Sequence, residues 1–202
     1  MLIESNTFED GGTRVFFVRH AQPDHSCSDD RTRPLTAEGD ADTKIVLETL
    51  GEKKIDLFYS SPYKRSIDTI RSTAAFYGAD IVTDERFRER ECGKGGNTTE
   101  MFRKRWSDYD FCEPHGESLN MVQRRNIEAL NEILNSDIGK NIVIGTHGTA
   151  LGTIMNYYNK NFGCEDFMRI IDWMPYIVEL DFNGTNLIRI NEIAHIYKEF
   201  KI

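Results

Sequence analysis

Cysteine is scarce and unpatterned in this sequence. Cys27, Cys92, Cys112 and Cys164 include no C-x-x-C pair, which disfavours a zinc ribbon, a thioredoxin-type motif or a disulfide scaffold, and the thiols are expected to be reduced. Long hydrophobic runs are missing as well. The longest apolar stretches are strand-sized and the opening residues Met1-Leu2-Ile3-Glu4-Ser5 carry an acid, so neither a membrane span nor a secretory leader is expected, and the expected compartment is cytoplasmic. Positive charge is in deficit: the formal net charge is −8, which disfavours generic attraction to nucleic acid or anionic lipid. Any anion site must therefore be local. Internal repeats, low-complexity tracts and Pro/Ser-rich linkers are absent, and a length of 202 residues suits a single domain, residues 1–202, with a substantial core.

What is present is the composition of a water-soluble globule, 39% hydrophobic and 29% charged. Arg14-Val15-Phe16-Phe17-Val18 and Asn141-Ile142-Val143-Ile144-Gly145-Thr146 are nearly continuous apolar runs, the pattern of strands covered on both faces in a parallel sheet. Residues 55–59 and 80–83 are weaker strand candidates, each preceded by a helix-like segment, and the alternation predicts βαβ units. Thr36 is the expected N-cap of a helix that presents Ala37, Ala41 and Ile45, with Leu47 and Leu50, to the sheet and ends at Gly51. Ser61 and Pro62 predict the N-cap and first residue of a second helix, striped by Ile67, Ile70, Ala74 and either Phe76 or Tyr77 and closed by Gly78. A third runs from Ser118 and buries Val122, Ile127, Leu130, Ile133 and Leu134. Asn183-Gly184 between two apolar runs signals a hairpin at an antiparallel edge. The fold class is α/β: a three-layer α/β/α sandwich with a mostly parallel sheet, an antiparallel edge strand and a small lid-like excursion over about residues 93–116.

Both apolar runs stop at a histidine, His20 and His147. In open α/β sheets ligands bind beyond the carboxyl ends of the strands. Ala21 and Gly148 follow, and residues this small let backbone N–H groups approach an anion, while the helix after His147 adds its positive end. Arg65, one turn into the second helix, leans back toward the strand ends. Arg19 brings another fork of donors suited to paired phosphate oxygens. A neutral imidazole can attack phosphorus while arginines stabilise the in-line transition state, so no metal or other cofactor is called for. Glu89 is the chosen proton donor to the leaving oxygen. Glu85 and Glu91 are its neighbouring rivals, and any of the three could instead pair with Arg86, Arg88 or Arg90.

The ordered segments Val18-Arg19-His20-Ala21, Tyr59-Ser60-Ser61-Pro62-Tyr63-Lys64-Arg65, Phe87-Arg88-Glu89 and Gly145-Thr146-His147-Gly148 resemble the histidine phosphatase superfamily, which includes the cofactor-dependent phosphoglycerate mutases. The match spans about residues 14–158. The resemblance implies that His20 is phosphorylated, that Arg19, Arg65, His147 and Gly148 form the phosphate pocket, and that Glu89 donates the proton as in the mutase-like branch. Gly116-Glu117-Ser118 resembles a segment bordering the substrate pocket. The sequence departs from the pattern at Ala21, where glycine is usual, and in residues 22–28, which lack the threonine and asparagine of the mutase-like signature.

The expected function is phosphomonoester hydrolysis through a phosphohistidine on a small phosphorylated substrate. A mutase that passes the phosphoryl group to a second hydroxyl is the nearest alternative, but family mutases tend to be longer with a closing tail, and this chain ends Lys198-Glu199-Phe200-Lys201-Ile202. A non-catalytic phosphate-binding module is a third reading, opposed by the presence of all five catalytic types. Arg103-Lys104-Arg105 with Trp106 suits either recognition of an acidic substrate or a solvated helix face, and the solvated face is favoured. His25 and His115 are expected at most at the pocket mouth, and His25-x-Cys27 lacks the further ligands of a metal site. The motifs fix neither the alcohol of the substrate nor the oligomeric state.

Overall fold

The computed structural model describes residues 11–199. Met1-Leu2-Ile3-Glu4-Ser5 and the final Phe200-Lys201-Ile202 lie outside them. β1 (Thr13–Arg19), β2 (Leu57–Ser60), β3 (Ile81–Thr83) and β4 (Asn141–Thr146) run parallel, and β5 (Trp173–Asn183) and β6 (Asn186–Tyr197) close the sheet as an antiparallel pair. The strand order is β3-β2-β4-β1-β5-β6, which sets β1 and β4 side by side in the middle of the sheet, with β1 at the border between its parallel and antiparallel parts.

Alternation along β1 explains the three layers, because successive side chains of a strand point to opposite faces. Val15 and Phe17 join Leu130, Ile133, Leu151 and Ile154 on one side, while Phe16 and Val18 join Val46, Leu50, Ile70 and Ala74 on the other. The first side is covered by α5 (Leu119–Ser136) and α6 (Gly148–Tyr158), the second by α2 (Lys44–Leu50) and α3 (Lys64–Phe76). Every residue predicted for the inner face of α5 is buried, and Ser118 Oγ accepts from the Met121 N–H as its cap.

Three local expectations need correction. The first helix is broken: α1 (Ala37–Asp42) gives way to α2 at Thr43, whose hydroxyl donates to the Asp40 carbonyl at 2.7 Å. That back-bond takes an acceptor from the helix and turns its face. The buried positions become Gly39, Val46 and Leu50, while Ala37 and Ala41 are exposed. Gly39 is required here, since a Cβ would stand 2.4 Å from the Gln22 carbonyl oxygen. α3 begins at Lys64 with Tyr63 as its N-cap. Ser61 does not cap it because its hydroxyl is engaged with His147 and the Tyr63 N–H. At the hairpin, Asn183 pairs with Asn186, so the two-residue loop is Gly184-Thr185. Gly184 takes φ +57° at its first central position, where a primed turn demands glycine.

The excursion carries a short 3-10 turn, Gly93–Gly95, and α4 (Thr99–Ser107). A Cys92–Gly116 bridge joins its two ends. The basic triplet is divided: Arg103 and Lys104 are exposed, but Arg105 is buried in an ion pair with Glu113, which also binds Arg90 at 3.1 Å. A solvated face therefore describes two of the three residues. Phe102 and Trp106 turn inward against Phe167 of α7 (Cys164–Ile170).

Candidate active site

Arg19 pairs with Thr146 across β1 and β4, so the next residues, His20 and His147, leave the sheet at one level. Their rings lie edge to face with centroids 5.2 Å apart, and the His20 N–H donates to the Thr146 carbonyl at 3.1 Å. His20 Nδ1 lies 2.8 Å from the Ala21 carbonyl. A carbonyl only accepts, so Nδ1 carries the proton and Nε2 keeps its lone pair. Burial holds the His20 imidazole well below its usual pKa of 6.5, and the nearby Arg65 and Arg19 cations act in the same direction. The ring is thus neutral around pH 7.

His147 is fully buried and also held below 6.5, first by burial and then by Arg65 and His20. Its Nε2 contacts Ser61 Oγ at 2.8 Å, and its Nδ1 is buried with no partner. The Tyr63 ring meets it edge-on at 5.1 Å. Arg19 donates from Nη1 to the Ile170 carbonyl at 2.7 Å, leaving Nε buried and unpartnered. Its pKa is lowered to about 10 by burial, against the opposing pull of Glu89 and Asp172, so it stays charged at neutral pH. Gly148 is what admits Arg19 here: a Cβ at 148 would lie 3.1 Å from Arg19 Cζ.

Arg65, the second residue of α3, lies over the Tyr63 ring at 5.0 Å. It is tied to Asp30 through the backbone carbonyl at 2.5 Å and the carboxylate at 3.1 Å. Thr69, one helical turn on, accepts from the Ala21 N–H at 2.9 Å and donates to the Arg65 carbonyl at 2.7 Å, linking the two sides of the cradle.

Glu89 is separated from its rivals by its partners. Glu85 pairs with Arg31 on the surface and Glu91 with Arg88 at 3.3 Å. The Glu89 carboxylate instead accepts from two backbone N–H groups, Arg90 at 2.7 Å and Thr149 at 3.1 Å. The positive end of α6, expected to serve an anion alone, therefore also orients Glu89. Its loop is clamped from behind. Arg125 donates to the carbonyls of Arg86, Arg88 and Glu89 at 2.6, 2.8 and 3.1 Å and pairs with Glu117 at 3.0 Å. Glu117 also binds Arg88 at 2.5 Å and the Glu91 N–H at 3.1 Å, and these bonds hold its pKa near 2 despite burial.

Arg19, His20, Arg65, Glu89 and Gly148 all line one cleft of about 770 Å³, with His147 buried directly behind. His25 and His115 reach the same cleft from exposed positions, while His195 stacks on Trp173 at 3.8 Å between the last two strands, away from it. Sequence reasoning missed Ser61, Thr69, Asp30 and Arg125. Only Ser61 lay inside a quoted motif, and the others act through contacts between segments distant in the chain. Among the described residues no group of three or more His, Cys, Asp or Glu is arranged to hold a metal ion.

The family model for the histidine phosphatase superfamily, branch 1, matches residues 15–191. The chain belongs to this superfamily. Among curated relatives, a putative phosphoserine phosphatase 2 of Hydrogenobacter thermophilus is 25% identical over 90% of this chain and 97% of its own length. A probable phosphoglycerate mutase of Serratia proteamaculans is 27% identical over 71% of this chain and 73% of its own. A solved structure called mycobacterial hydrolase 1 superposes with a TM-score of 0.74 at 20% identity, over 92% of this chain and all of that one, which supports the fold alone. In this chain the two histidines stand at the carboxyl ends of β1 and β4 in a mostly parallel sheet with helices on both faces, the architecture expected from the sequence.

Proposed function

We propose that this superfamily member is a phosphomonoester hydrolase that works through a phosphohistidine on His20. One observation carries the reading: His20 Nδ1 is committed to the Ala21 carbonyl at 2.8 Å, which leaves Nε2 as a neutral nucleophile beside two buried arginines. Nε2 attacks phosphorus as the ester P–O bond breaks, and Arg19, Arg65 and His147 hold the equatorial oxygens. Ser61 Oγ accepts from the Tyr63 N–H and is placed to donate its own proton to His147 Nε2, which puts the His147 proton on Nδ1; that Nδ1 and Arg19 Nε, both unpartnered, are the donors that an anion there would satisfy. Protonated Glu89 gives its proton to the leaving oxygen. The resulting carboxylate takes a proton from water, whose oxygen attacks the phosphohistidine and releases inorganic phosphate, and His20 returns with its Nδ1 proton in place. The scheme uses no metal. Cytoplasmic residence belongs to the same reading and is supported by four unpaired cysteines; no described helix is long and apolar enough to cross a membrane.

The Hydrogenobacter relative's name supports hydrolysis and the Serratia relative's name the mutase alternative. Incubation with 3-phosphoglycerate separates them, since the proposal expects inorganic phosphate and no 2-phosphoglycerate. Isomerisation faster than phosphate release overturns it.

A further inference from the structure

Arg19 reaches the cradle from β1, but what aims its guanidinium lies elsewhere in the chain. Nη1 donates to the carbonyl of Ile170, the last residue of α7, at 2.7 Å. The last carbonyls of a helix have no partner within it, so this oxygen is open to a donor from outside. Gly148 closes the other side of the fork, where a Cβ would lie 3.1 Å from Arg19 Cζ. Between the two, the buried Nε stays unpartnered. A shift of the Ile170 carbonyl therefore turns the donor that is left for an anion.

The turn that carries this carbonyl is fastened to the last strand at three points that bracket it in sequence. Before Ile170, Arg169 donates to both oxygens of Glu192 in β6, from Nη1 at 3.0 Å and from Nη2 at 2.6 Å, and lies 4.8 Å from the centre of the Trp173 ring. Paired bonds of this kind fix the angle of the fork as well as its place. After Ile170, the Asp172 carbonyl accepts from the Lys198 N–H at 2.6 Å, just past the end of β6, and Trp173 stacks on His195 at 3.8 Å with an interplanar angle of 9°. The body of α7 is held separately, through Phe167 against Phe102 and Trp106. The Arg169 and Glu192 side chains are 43% and 35% exposed, and an ion pair that open adds little to stability. Its effect lies in its position, one residue from the acceptor of Arg19.

We infer that Arg169, paired with Glu192, is a positioning residue for Arg19: it holds the Ile170 carbonyl where Arg19 Nη1 meets it and so aims Nε at the transferring phosphoryl group. The inference rests on the phosphate-binding role of Arg19 in the proposed function and adds two residues outside the segments that carry the catalytic types.

The test titrates orthovanadate, which takes up the in-line geometry of phosphoryl transfer, into the full-length enzyme and reads its affinity by calorimetry. Arg169→Met keeps an apolar stem over Trp173 and loses the fork; it is expected to bind vanadate about tenfold more weakly, with Tm lowered by no more than about 4 °C. Glu192→Gln breaks the pair from the other side and is expected to lose about three- to tenfold. Arg19→Ala is expected to bind about 100-fold more weakly, and adding Arg169→Met to it should change the affinity by less than about twofold. Wild-type vanadate binding in both clamp variants overturns the inference. So does an equal loss from Arg169→Met in the Arg19→Ala background, since that reports a general loosening of the cleft. Either outcome leaves hydrolysis through His20 intact, whereas Arg19→Ala that binds vanadate as tightly as wild type overturns the phosphate-binding role of Arg19 itself.

Discussion

Replacing Glu117 by Gln removes the charge at the centre of the clamp behind Glu89 while keeping the shape of the side chain. Glu117 accepts five donor contacts, from Arg88, Arg125 and the Glu91 N–H. Its pKa falls from 4.5 to about 2, and at about 1.4 kcal/mol per unit this corresponds to roughly 3 kcal/mol of stability at neutral pH. The sign follows from the depressed native pKa: the contribution is complete above pH 4.5 and is lost as the pH falls from there through about 2. Urea denaturation at pH 7 should place Glu117→Gln below wild type by roughly 3 kcal/mol, or about 6 to 12 °C in Tm for a chain of this size. The gap should hold down to about pH 5. The same clamp fixes three carbonyls of the Glu89 loop, so kcat should fall by about 10- to 100-fold for alkyl phosphates. The loss should be much smaller for p-nitrophenyl phosphate, whose leaving group needs no proton. A stability loss below about 0.5 kcal/mol, or an equal loss of kcat on both substrates, refutes the reasoning.

Gly148→Ala should fold, since alanine suits the first turn of α6, but its Cβ would press on the Arg19 guanidinium at 3.1 Å. The inhibition constant of inorganic phosphate should rise about tenfold, and unchanged inhibition would show that Arg19 does not contact the anion. Because burial and two arginines hold His20 below 6.5, the acid limb of kcat/KM should follow the second ionisation of the ester, near about pH 6, and shift when esters of different acidity are compared. A limb fixed near 6.5 for every ester would contradict a neutral buried nucleophile. Both buried histidines also oppose acid stability: below pH 6.5 the unfolded chain takes up protons that the native rings refuse, so unfolding free energy should decline over that range in wild type and less steeply in His147→Asn.

The sheet and the catalytic types were legible in the sequence because both are written locally. Two continuous apolar runs ending in histidine describe β1, β4 and the level at which His20 and His147 emerge, and the stripe from Val122 to Leu134 describes α5. The breaks were less legible. Thr43 divides the first helix through a side-chain bond to Asp40 that competes with helical propensity, and Ser61 abandons its capping role for His147, a partner 86 residues away. The excursion resisted reading for the same reason, since Arg105 looks like surface charge until Glu113 folds back on it. Glu89 was separated from Glu85 and Glu91 only by motif, and the physical distinction, two backbone donors in place of an arginine, appears once α6 is beside it.

Quenching the wild-type enzyme in mid-turnover with a ³²P-labelled phosphomonoester, denaturing it and mapping the label tests the central claim most directly. Acid-labile, alkali-stable label is expected on the peptide containing His20 and none in His20→Ala. Label on another residue, or turnover without any trapped phosphoenzyme under conditions that slow hydrolysis of the intermediate, would contradict it.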